Sequence, residues 1–84
     1  MNRAEATSLI GQALQNLGAL DDAGGLTDEL DLIGEGVIDS LDAMMFLFEL
    51  EKIVGHRIST IDETYTDFTV GGLATALVDD AAAS

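Results

Sequence analysis

The sequence contains no cysteine. It therefore forms no disulfide, offers no thiol nucleophile of its own and builds no cysteine metal site. Basic residues are scarce: three Lys and Arg stand against sixteen Asp and Glu, a formal charge of −13. Such a chain repels nucleic acid and anionic membrane, and its natural partners carry basic patches. Those contacts should weaken as salt rises. Long apolar runs are also missing; none approaches the roughly 18 residues of a membrane span. The N-terminus lacks the apolar stretch of a signal peptide. The expectation is a cytoplasmic protein without a targeting segment.

What is present argues for a folded chain. Strong acidity often accompanies disorder, but 48% of these residues are hydrophobic. The 84 residues suit one domain, residues 1–84, with residues 80–84 as a frayed tail. A domain this small buries only about 60–65% of its unfolded surface, so its stability should be modest.

Periodicity and capping predict an all-α fold with no strand. It is a small four-helix bundle with a long loop between helices 1 and 2 and a short third helix. The first helix spans residues 3–17, with Asn2 as N-cap, Glu5 completing a capping box and Gly18 just past the end. Leu9, Ile10, Ala13, Leu14 and Leu17 form its buried stripe. Residues 18–38 read as a loop pinned to the core by Leu26, Leu30, Leu32 and Ile33, with a turn near residues 27–32. The second helix runs from Ser40 to Val54, between Asp39 as N-cap and Gly55. A short third element is predicted over residues 61–66, and a last helix from Thr69 to Asp79 with Val70, Leu73, Ala74 and Leu77 inward.

The second helix carries two apolar stripes. Ala43, Phe46, Leu47, Leu50 and Val54 share one face, assigned to the core. Leu41, Met44, Met45 and Phe48 repeat at i, i+3, i+4, i+7 on nearly the opposite face. Met and Phe at helical spacing are usually core. Alternatively this second stripe is a docking surface, for which adaptable methionine is well suited.

Ser40, at the start of that helix, does not read as a nucleophile. A catalytic serine needs a base in hydrogen-bond reach. The one histidine, His56, lies past the far end of the helix, roughly 24 Å away at the helical rise. No G-x-S-x-G elbow and no phosphate-binding lysine loop is present. From Asp28 an EF-hand fails at its third position, Leu30. The chain is not read as an enzyme, and no metal site is expected. Ser40 is then either an ordinary helix-start residue or a residue that is modified. A phosphate esterified there would meet free backbone N–H groups and the positive end of the helix dipole.

The segment GEGVIDSLDAMMFLFELEK, residues 34–52, resembles the phosphopantetheine-attachment segment of acyl and peptidyl carrier proteins. DFTVGGLATAL, residues 67–77, resembles that family's final helix, and the element order is similar over residues 4–79. The resemblance implies that Ser40 carries 4′-phosphopantetheine, installed from coenzyme A by a phosphopantetheinyl transferase. It implies that Asp39 helps position the transferase's magnesium, and that Leu41, Met44, Met45 and Phe48 sit on the recognition helix. The arm's thiol would hold acyl or aminoacyl cargo as a thioester. Partners would be a loading ligase and downstream transferases with basic docking patches, acting on a monomer. Carriers of primary fatty acid synthesis are usually acidic along this helix, where Met45, Phe48 and Lys52 stand here. That departure points to a dedicated carrier of a specialised pathway. The competing expectation is a non-catalytic acidic helical adaptor that never carries a cofactor.

Overall fold

The computed structural model describes residues 1–20, 26–61 and 65–83. Three helices account for its regular structure: α1 (Arg3–Asn16), α2 (Ser40–Val54) and α3 (Val70–Ala83). Among the described residues the only strand-like feature is one isolated antiparallel bridge between Asp31 and Thr69. The radius of gyration is 11.4 Å, close to the roughly 12 Å of a compact chain of this length.

Local chemistry explains the ends of α1. The Asn2 side chain accepts the Glu5 N–H at 2.8 Å. The Glu5 carboxylate accepts the Asn2 N–H at 3.2 Å, so the capping box is complete. At the other end Gly18 turns left-handed, with φ of 75°. There the Gly18 N–H reaches the Gln15 carbonyl and the Ala19 N–H reaches the Leu14 carbonyl, both at 2.9 Å. This paired closure is the Schellman motif, and glycine adopts its positive φ without steric cost.

The same logic bounds α2. Asp39 Oδ1 accepts the Asp42 N–H at 2.7 Å. The Gly55 N–H closes the helix on the Glu51 carbonyl at 2.8 Å. Lys52 lies in the last turn, where the dipole favours a cation. At the start of α3 the Thr69 hydroxyl accepts the Gly72 N–H at 3.1 Å and acts as N-cap.

α1 packs against both α2 and α3. Ile10 and Leu14 of α1, Phe46 and Leu50 of α2, and Leu73 and Leu77 of α3 are buried in one cluster. Ile58, Ile61 and Phe68, from the connection between α2 and α3, complete it. Residues 26–38 form turns pinned to that core through Leu32 and Ile38. The backbone locks them down as well. Leu32 N–H bonds the Phe68 carbonyl at 3.0 Å, Val70 N–H the Leu30 carbonyl at 2.9 Å, and Gly71 N–H the Asp28 carbonyl at 3.0 Å. A Cβ at Gly71 would lie 3.1 Å from that same Asp28 oxygen, so glycine permits the close approach.

Two expectations need revision. The third helix predicted over residues 61–66 is not formed at Ile61, Tyr65 or Thr66, and residues 62–64 lie outside the described residues. Instead the Ile61 N–H turns back onto the Ile58 carbonyl at 3.2 Å. The last helix does not end at Asp79 but continues to Ala83. Asp80 explains the extension: it is only 6% exposed, because it is bonded to Ser59. The alanines that follow favour continued helix.

Candidate functional site

Ser40 is the first residue of α2 and is exposed. Its hydroxyl makes no hydrogen bond to another described residue. The Asp39 cap takes the Asp42 N–H, and the Ala43 N–H reaches the Asp39 carbonyl at 3.0 Å. The amides of Ser40 and Leu41 are left at the positive end of the helix dipole. One Asp39 oxygen is committed to the cap; the other has no partner among the described residues. An exposed alcohol, unpaired amides and a spare carboxylate oxygen thus meet at one helix end. Phosphate bonded to that alcohol fits this arrangement.

His56 is not part of it. Its Nδ1 lies 2.9 Å from the Arg57 carbonyl and 3.9 Å from Asp80, beyond the opposite end of α2. Ser40 therefore has no histidine to activate it. Among the described residues no group of three His, Asp or Glu could hold a metal ion, and no helix is long and apolar enough to cross a membrane.

The tertiary structure rules out the core reading of the second apolar stripe. Leu41 is 83% exposed, Met44 62%, Met45 57% and Phe48 63%. Met1 aside, these are the exposed large hydrophobic residues of the described chain. Ala43, Phe46 and Leu50, on the other side of α2, are buried. The stripe begins one residue after Ser40, and Glu49 and Lys52, 3.9 Å apart, lie at its far end. A contiguous exposed apolar patch with a charged rim is what an interaction surface presents.

A cleft of about 310 Å³ opens beside Ser40. Ile33, Ala43, Leu47, Tyr65 and Phe68 help to line it. A second cleft, of about 470 Å³, shares Met44 and Leu47 with the first and continues along α2 to Arg57 and Ile58. Tyr65 was not singled out in the sequence, although it is the only tyrosine. Its ring meets Phe68 edge-on, with centroids 5.7 Å apart. Its hydroxyl is buried and has no hydrogen-bond partner among the described residues. A buried hydroxyl without a partner costs about 1–3 kcal/mol. Burial, with a smaller contribution from the nearby Asp67 carboxylate, pushes the phenol pKa up from 10.0 to about 12.

Comparison with known proteins adds no relative: no family model matches the chain, and no curated protein or solved structure is significantly similar to it.

Proposed function

We propose that this chain is a carrier protein of a specialised biosynthetic pathway, with Ser40 as the attachment point of a 4′-phosphopantetheine arm. The observation that carries the reading is the exposed, unpartnered Ser40 hydroxyl at the start of a helix whose outward face is apolar. The arm supplies a thiol that holds acyl or aminoacyl cargo as a thioester, which a chain without cysteine cannot do unaided. Ser40 Oγ forms the new bond to phosphorus as the pyrophosphate bond of coenzyme A breaks. The nucleotide leaves, and the serine proton passes to the transferase. Asp39 holds the helix start in place with one oxygen and offers the other to the transferase's magnesium. Leu41, Met44, Met45 and Phe48 form the docking face. The acidic surface steers partners with basic patches, which gives fast encounter without tight binding. A flexible arm then raises the effective concentration of cargo at each docked enzyme. In this reading the connection between α2 and α3 takes the place of the family's short third element.

The test is intact-mass measurement after incubation with a phosphopantetheinyl transferase and coenzyme A. The expected result is a gain of one phosphopantetheinyl group, absent in Ser40→Ala. The second reading is an acidic helical adaptor without a cofactor, and the exposed stripe supports it equally. No mass gain under conditions that modify a control carrier would favour the adaptor.

A further inference from the structure

We propose that the Tyr65 hydroxyl is the polar anchor of the cleft beside Ser40, where it donates a hydrogen bond to a carbonyl oxygen of the chain tethered there. This inference deepens the carrier reading and rests on it. Three observations combine. The cleft is lined in part by Ser40 itself, so a chain attached at that residue starts at its mouth. Its walls are otherwise mostly apolar, with Ile33, Ala43, Leu47 and Phe68 among them. Tyr65 borders it and holds a buried hydroxyl with no partner among the described residues.

Chemistry selects the acceptor. A phenol that has lost water and gained nothing in return gives up no existing bond when an acceptor arrives. A plain hydrocarbon in the cleft would leave it unsatisfied, whereas a carbonyl would satisfy it. Thr66 also lines the cleft but is exposed, so water already serves its hydroxyl. Tyr65 borders a second hollow too, on the side of Asp67 and Asp79. Arg3 lines that hollow as well but is already engaged by Asp28 and Thr75, and Ser40 does not border it, so an arm attached at Ser40 does not start there. Because the hydroxyl is sealed from water, an occupant of the Ser40 cleft must turn the ring to reach it. The ring is therefore also the reporter. The carbonyl could belong to the amides of the arm or to the cargo, and the two sources are separable.

The chain has one tyrosine, so a ¹³C label at the tyrosine Cζ gives a single NMR signal, from Tyr65. That signal is recorded for unmodified protein, for protein carrying the arm and for protein carrying an acyl thioester, with modification and loading verified by mass. A shift on attachment of the arm assigns the acceptor to the arm; a shift only on acylation assigns it to the cargo. Either result supports the inference. Tyr65→Phe keeps the ring and loses only the oxygen. It is expected to speed hydroxylamine cleavage of the loaded thioester about fivefold, the worth of one ordinary hydrogen bond. Complete modification and loading with an unmoved Tyr65 signal and unchanged cleavage would overturn the anchor and leave the carrier reading standing. Failure of Ser40 to accept the arm would overturn both.

Discussion

Asp80 accepts two hydrogen bonds from Ser59: the backbone N–H and the hydroxyl both reach Oδ1 at 2.9 Å. Glu51 acts in parallel and accepts the Ile58 N–H at 2.9 Å. Two carboxylates, one on α3 and one on α2, therefore clamp the start of the connection that carries Ile58 and Ile61 into the core. Asp80→Ala is expected to cost about 1–2 kcal/mol, since it removes a buried acceptor and both of its part-buried hydrogen bonds to Ser59. In a chain of this size that is on the order of 10 °C in Tm. Thermal and urea unfolding monitored by helicity would check it. An unchanged midpoint would mean that the clamp contributes nothing.

Asp39 separates two roles. Asp39→Asn keeps an oxygen for the Asp42 N–H, so stability should stay within about 0.5 kcal/mol. Asp39→Ala removes the cap and should cost about 1 kcal/mol. If the carboxylate also helps to hold the transferase's metal, both variants should slow modification of Ser40 about tenfold or more. Unfolding curves beside a time course of mass gain distinguish capping from metal positioning.

Met45 and Phe46 are neighbours in sequence on opposite sides of α2. Met45→Glu should leave stability within about 0.5 kcal/mol, because the side chain is exposed. It should weaken partner engagement, read as the rate of modification or loading. Phe46→Ala should cost about 3–5 kcal/mol, because that ring is fully buried. A Met45→Glu variant that unfolds easily would return the outer stripe to the core.

Tyr65 makes stability depend on pH at the alkaline end. Its folded pKa is raised from 10.0 to about 12, so the folded state holds the phenol proton more tightly than the unfolded chain. The contribution is fully present below about pH 10 and is lost as pH rises through about 12. Phenolate absorbance should titrate near 12 in the folded protein and near 10 in denaturant. Tyr65→Phe should flatten the part of the alkaline stability loss that belongs to this group. Coincident folded and denatured titrations would refute the burial of the hydroxyl.

Much of the helical framework was legible because its signals are local. Asn2 with Glu5, Asp39 with Asp42, and Gly18 and Gly55 act within one turn of themselves. The bounds of α2 and the ends of α1 could therefore be read to within a residue. Ser40 at N1 followed from the same local rule. The end of α3 was not legible, because Asp80 is held by Ser59, twenty-one positions away. The element expected over residues 61–66 failed at Ile61, Tyr65 and Thr66 for a related reason. There a turn and the packing of Ile58, Ile61 and Phe68 outweigh weak helical spacing.

The sequence by itself determined α1, α2 and α3, though not that a fourth helix would be absent, most of the residues they bury and an alcohol at the head of α2, since capping and periodicity are properties of neighbouring residues. It left two matters open: whether the second stripe of α2 is covered, and that one tyrosine hydroxyl is buried without a partner among the described residues. Met and Phe at that spacing would suit a core stripe equally well, so only the elements packed around α2 could decide whether it is covered. The burial of the tyrosine hydroxyl is likewise a property of the assembled fold and not of local spacing.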